Sequence, residues 1–351
     1  MIVAINTLTT TLRPDSGHED RYLKRVLDAM RRVQTDTTFV ILTHEGNHGF
    51  YAQYDRVAVA PSAGGLSSFR AGAPTPEKAA ATIKADVLLS QVDAAPSSAS
   101  VPQVLYALDL ALWEPEPGKP ASKHPHYKTV KKSCASATAV IVPSEYLRRK
   151  CLEIFETPLN KVIVAHPGVD TLFQEPHDTM VDLPYFSILS DSLTASSMPR
   201  VREMMAQLEK EYPHTFVVVG RGGEVETEVW SDRVVRIESL PDNHLSGLYQ
   251  NGDLLLYAAM HDGSAMRVLE GFMSGVAVVA PNSGATNELI GNAPYYYNPA
   301  STASMLQSVR RVLELDPAEK AERLRLNRNA ASKYTWEKCA WRFISAFKRV
   351  A

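Results

Sequence analysis

At 351 residues, with 45 % hydrophobic and 22 % charged side chains, the chain is long enough for two domains, each with its own core. A net charge of −2, evenly spread over both halves, gives no pull toward nucleic acid or an anionic membrane. No apolar run is long enough to cross a bilayer, MIVAINTL lacks the flank and cleavage pattern of a secretion signal, and Cys134, Cys151 and Cys339 read as free thiols of a reducing, cytoplasmic compartment.

Ile2–Ile5 predicts a strand, Thr9–Gly17 a loop and Tyr22–Val33 an amphipathic helix. Strands follow at Phe39–Thr43, Val57–Ala60, Ala85–Ser90 and Val101–Tyr106. Pro115–His126, with its four prolines, is a loop. Lys128–Ala137 predicts a helix and Ala139–Val142 a strand. Ser144 caps the helix Glu145–Ile154, and the strand Lys161–Ala165 closes this half. Such alternation predicts a parallel sheet with helices on both faces. Pro167-Gly168-Val169-Asp170 and the polar stretch after it read as a linker. The pattern restarts with the strand Tyr185–Leu189, a helix near Pro199–Glu211, the strand Thr215–Val219 and the loop Gly220-Arg221-Gly222-Gly223. Val234–Ile237 predicts a strand, Asn243–Tyr249 a helix and Asp253–Ala259 a buried strand. Helices fill Thr302–Glu314, Pro317–Lys333 and Trp336–Val350.

The richest stretch is 261–290, HDGSAMRVLEGFMSGVAVVAPNSGATNELI. Asp262-Gly263-Ser264 reads as a turn and helix cap, and Met266, Leu269, Phe272 and Met273 predict a helix with one apolar face. Gly275 stops it, Val276–Ala280 is the next strand, and Gly284 opens another helix. Unpaired amides over Ser264–Arg267 would form an anion site beyond the carboxyl end of a strand. Asp262 reads equally as a cap or as a ligand for hydroxyls, and Glu270 equally as a solvated helix position or a ribose ligand. The ordinary reading of Arg267 is a solvated arginine; for Arg221 the solvated and phosphate-binding readings stand level. The basic run Lys119–Lys132 is the kind that usually forms a solvated loop.

Asp262, Glu270, Ser274-Gly275, Val278-Val279-Ala280 and Gly284…Glu288 together resemble the signature of the family-4 retaining glycosyltransferases of the GT-B fold, the glycosyl transferases group 1. Weaker pieces fit the same family in order: Gly17…Arg21-Tyr22, Ala139–Ser144 with Arg148-Arg149, His166–Asp170, Val219–Gly222 and Tyr334–Glu337. The resemblance implies an α/β chain of two Rossmann-like domains whose parallel sheets face each other across a cleft. Residues 1–170 would be the acceptor domain, 171–335 the donor domain, and 336–351 a helix crossing back to the first. It implies a nucleotide-diphosphate sugar as donor, no metal or other required cofactor, and a glycan, lipid-linked or other acceptor. Glu270 would hold the donor ribose and Asp262 a donor-sugar hydroxyl. The amides of Gly263, Ser264, Ala265, Met266 and Arg267 would hold the phosphates, with Gly17 and Gly220 in glycine loops. Asp109 would meet an acceptor hydroxyl, with a turn cap as its plain alternative.

The departures from the family are specific. Its diphosphate-binding Arg and Lys fall at Asp191 and Ser196 when the chain is aligned on Pro199-Arg200, and Leu108 stands where a His usually precedes the Asp. His18 replaces the second glycine of the first loop, and Asp262 is one methylene shorter than the usual Glu. Arg221 or Arg267 would then have to offset the leaving-group charge. The rival reading is a glycosyltransferase-like binding or scaffold subunit that has lost its chemistry. A weaker one is a phosphorylase or epimerase of the same fold.

Overall fold

The computed structural model describes residues 1–8, 18–33, 36–54, 57–60, 75–97, 99–108, 110, 120–189, 197–220, 231–259, 263–290 and 295–351, with the side chains of 18–20, 57–60 and 290 left aside. The chain divides into two compact units, one of Met1–His166 with Glu337–Ala351 and one of Pro167–Trp336.

Among the described residues, unit 1 is built on seven parallel strands: β1 (Ile2–Asn6), β2 (Thr38–His44), β3 (Val57–Ala60), β4 (Val87–Gln91), β5 (Gln103–Tyr106), β6 (Ala139–Val142) and β7 (Val162–Val164). They lie in the order β3-β2-β1-β4-β5-β6-β7, with Val3 opposite Phe39 on one side and Val87 on the other. The strands are apolar on both faces because helices cover both. Those helices are α1 (His18–Val33), α2 (His48–Tyr51), α3 (Pro76–Thr82), α4 (Tyr127–Ser136) and α5 (Glu145–Phe155). Ser144 caps α5 by accepting from the Leu147 amide at 3.2 Å. The sequence gives no signal for α2, a single turn, or for α3, an alanine-rich helix without an amphipathic stripe. Residues 337–350 of the last helix seal this unit. Phe343 sits 6.4 Å from Tyr22, the Tyr22 hydroxyl meets Cys339 Sγ at 3.3 Å, and Arg32 pairs with Glu337 at 2.8 Å.

Unit 2 repeats the plan with, among the described residues, six parallel strands: β8 (Tyr185–Leu189), β9 (Thr215–Val219), β10 (Val234–Ile237), β11 (Leu254–Leu256), β12 (Val278–Pro281) and β13 (Tyr295–Tyr297). Their order is β10-β9-β8-β11-β12-β13, so the winding reverses between β8 and β11. In doubly wound sheets ligands collect at that reversal, beyond the carboxyl ends of the strands. β11 is shorter than the apolar run suggests, although Tyr257 still donates to the Val279 carbonyl at 2.9 Å. β13 is three tyrosines that the sequence reading passes over. The helices are α6 (Met198–Leu208), α7 (Asp242–Asn251), α8 (Met266–Ser274), α9 (Gly284–Ile290), α10 (Thr302–Leu313), α11 (Pro317–Ala331) and α12 (Trp336–Val350), the last passing into unit 1. Where unit 2 begins and ends, its two segments run side by side. Val169 donates to the Tyr334 carbonyl at 3.1 Å, and a Cβ on Gly168 would stand 2.1 Å from the Trp336 nitrogen. Among the described residues no helix is long and apolar enough to cross a membrane.

Candidate functional site

The site is organised by α8, which leaves the carboxyl edge of β11 beside the reversal point. Its nine residues are all buried. The expectation of one apolar face is therefore corrected. Leu269, Phe272 and Met273 do join an apolar core, but α7, α11 and the sheet enclose the remaining sides. Gly271 lets the helix lie against the sheet, because a Cβ there would stand 2.8 Å from Leu255 Cδ2 and 3.0 Å from Val278 Cγ2.

That enclosure overturns two ordinary readings. Neither Arg267 nor Glu270 is a solvated position. Arg267 Nη1 donates to Glu270 Oε2 at 3.0 Å, and their side chains are 9 % and 10 % exposed. The i,i+3 spacing puts the two on one side of the helix. Charges this deep survive when each satisfies the other, since an unpaired one would carry a large desolvation cost.

The helix start also differs from expectation. The N-cap position is Ala265, which takes φ 50° and ψ 21° and contributes no capping side chain. Ser264 accepts from the Met266 amide at 3.4 Å, a long bond, so that amide is partly engaged rather than unpaired. The first full helical bond runs from the Leu269 amide to the Ala265 carbonyl at 3.0 Å. A left-handed alanine costs roughly 1–2 kcal/mol relative to a right-handed one. Burial of Gly263, Ser264 and Ala265 under the carboxyl edge holds this turn in place.

Gly220 ends β9 with φ 121°, a conformation open mainly to glycine, while its amide donates to the Ile237 carbonyl at 2.9 Å. It thus shares the carboxyl edge of the sheet with the start of α8. Asp262, Asp109, Arg221 and Gly17, like Asp191 and Ser196, lie outside the described residues. The structure brings Gly263, Ser264, Ala265, Met266, Arg267 and Glu270 into one continuous element. One participant is absent from the sequence reading: Arg328 of α11, which donates to the last carbonyls of α8. Nothing in local spacing signals it, because it sits 54 positions beyond Ser274.

One comparison with known proteins falls on this same unit. Residues 194–315 match the family model of the glycosyl transferases group 1. The matched segment lies within unit 2. The GT-B fold extends over the whole chain, as three solved structures show. The sucrose-phosphate synthase of Thermosynechococcus elongatus superposes with a TM-score of 0.76 at 13 % identity, over 99 % of this chain and 98 % of that one. Anabaena HepE, solved in complex with UDP and glucose, gives 0.73 at 14 % identity over 99 % and 100 %. WaaG, a glycosyltransferase involved in lipopolysaccharide biosynthesis, gives 0.72 at 13 % over 100 % of both chains. At these identities the likeness is one of fold. No curated protein sequence matches this chain.

Proposed function

We propose that this chain transfers a glycosyl group from a nucleotide-diphosphate sugar with retention, and that unit 2 takes the donor. The observation that carries the reading is the buried Glu270, fixed by Arg267 on a helix that starts at the carboxyl edge of the sheet beside its winding reversal. A carboxylate oriented in this way accepts two hydrogen bonds from a ribose diol, and the helix start favours the adjoining phosphates. The relative that was solved with UDP and glucose lends the donor class its support. Within this reading Glu270 takes the ribose, Asp262 a donor-sugar hydroxyl, the amides from Gly263 to Arg267 the diphosphate, and Asp109 the acceptor. Arg221 and Arg267 are the candidates for offsetting leaving-group charge, and no metal or further cofactor takes part.

One observation favours the alternative of a binding or scaffold subunit. Arg267, a candidate to replace the missing Arg and Lys, already spends charge on Glu270. A single experiment separates the readings: thermal melting of the full chain with UDP-, GDP- and ADP-linked hexoses, followed by a hydrolysis and transfer assay on any hit. A donor at a hundred times its Kd adds about 2.7 kcal/mol to stability. The proposal expects one nucleotide class to raise the midpoint and to be turned over, with the anomeric configuration kept by NMR. Binding without turnover would establish the scaffold reading. No shift with any donor would sink the transferase reading and leave the scaffold reading standing.

A further inference from the structure

The last four carbonyls of an α-helix have no partner within it, and in α8 that end is buried. Each of the four is nevertheless satisfied. The Gly271 carbonyl accepts from the Gly275 and Val276 amides at 3.1 and 3.2 Å, and Phe272 from the Gly275 amide at 3.1 Å. The Met273 carbonyl accepts from Arg328 Nε at 3.1 Å and the Ser274 carbonyl from Arg328 Nη2 at 3.4 Å. Two carbonyls are thus held by the backbone and two by one guanidinium from α11. Gly275 suits this end by its backbone, and a side chain there would displace the guanidinium. It takes φ 81°, and a Cβ on it would stand 2.2 Å from Arg328 Nη2.

We propose that Arg328 is a positioning residue for the donor site, acting through the last turn of α8 on Glu270. This rests on the reading of Glu270 as a nucleotide ligand. Helical bonding joins the Ser274 amide to the Glu270 carbonyl, four residues back. When the end of the helix frays, that bond opens, and the backbone under the carboxylate loses its fixed direction. Arg328 prevents this by filling both remaining carbonyls with a planar, two-pronged donor and by placing a cation at the negative end of the helix dipole. A backbone cap alone would leave Met273 and Ser274 unsatisfied in a place where their residues are only 3 % and 4 % exposed. Arg328 itself is exposed on its outer side, so replacing it removes the clamp without opening a cavity.

The test is a double-mutant cycle on the full chain, read by calorimetry with whichever of UDP, GDP and ADP the wild type binds, beside melting curves without ligand. Arg328→Ala is expected to weaken binding five- to tenfold and Arg328→Lys by no more than threefold, because the ammonium keeps the charge and a donor. In a Glu270→Ala background Arg328→Ala should change affinity less than twofold, since the group it acts through is gone. An unchanged affinity for Arg328→Ala, with only a lowered melting midpoint, would make Arg328 purely structural and overturn the inference. Additive losses in the cycle would overturn it too, by showing that Arg328 acts elsewhere. If Glu270→Ala alone leaves affinity intact, or if the wild type binds none of the three, the nucleotide reading fails first and this inference fails with it.

Discussion

Replacing Arg267 by alanine removes the donor 3.0 Å from a Glu270 carboxylate whose side chain is only 10 % exposed. Taking away one partner of a buried pair costs about 3–5 kcal/mol, because the remaining charge stays desolvated and unmatched. The 9–10 % exposure and the position near a helix start lower the figure toward about 3 kcal/mol. With a denaturant slope of about 2 kcal/mol/M for a unit of this size, the urea midpoint of unit 2 should fall by about 1.5 M. The full chain contains two units, so the transition is followed by a probe confined to unit 2, such as a reporter placed on α10. The double variant Arg267→Met with Glu270→Gln should lose much less than the sum of its single changes, since neither remaining group is an unpaired charge. A shift below about 0.3 M for Arg267→Ala would refute the reasoning, because it would mean that water already screens the pair.

Ala265 tests the helix start. Ala265→Val forces a β-branched residue into φ 50° and should lose more than about 2 kcal/mol, whereas Ala265→Gly should stay within about 0.5 kcal/mol in urea titrations. In the glycine variant relief of the left-handed strain is offset by the loss of a buried methyl and by added chain entropy. At the amino ends of β9 and β11, the hydrogen bond from His214 at 2.9 Å holds the Asp253 carboxyl below its ordinary range, aided by Lys320 with Nζ 3.8 Å away. A depressed carboxyl stabilises the fold above its unfolded value of 3.8 and loses that contribution as pH falls further, so Asp253→Asn should flatten the acid limb of the melting curve below about pH 4. Burial pushes the thiols of Cys134 and Cys339 up to about 11 and about 12, and that of Cys151 higher still. None should react with a disulfide reagent at pH 8 in the native protein, and all three should react in denaturant.

Much of the fold was legible because parallel strands buried on both faces write themselves as short apolar runs. Tyr185–Leu189 and Thr215–Val219 fall on strands with those bounds. Gly275 was legible as a helix stop for the reason observed, a left-handed residue at the end of α8. What was not legible depends on what lies opposite in space. Arg267 and Glu270 look like ordinary surface residues until α7 and α11 close over their helix. Arg328 carries no local mark, because its partners are carbonyls brought to it by the packing of α11 on α8. Ala265 was read as a source of amides and not as the residue that makes the turn. The tyrosines of β13 gave no strand signal because only three residues pair, Tyr295 with Val279 through Tyr297 with Pro281.

The coupling of Arg267 to Glu270 leads to a prediction of opposite signs. Together the two carry no net charge, so the positive potential at the head of α8 comes mainly from the helix dipole, equivalent to about half an elementary charge. Glu270→Gln keeps the shape and a hydrogen-bond acceptor but removes this negative charge from beside the guanidinium. Two unit charges about 6 Å apart at an effective dielectric of about 20 interact by about 3 kcal/mol, and salt and partial exposure reduce this toward about 1.4 kcal/mol. Inorganic pyrophosphate should therefore bind Glu270→Gln about tenfold more tightly than it binds the wild type. The nucleoside diphosphate should gain less or lose affinity, since the ribose gives up its charged acceptor, and hydrogen bonds to charged groups contribute about 1.5–3 kcal/mol. Calorimetry with both ligands on both proteins at two salt concentrations reads the difference directly. If the two ligands change by the same factor, Glu270 does not distinguish ribose from phosphate, and its place in the donor site is wrong.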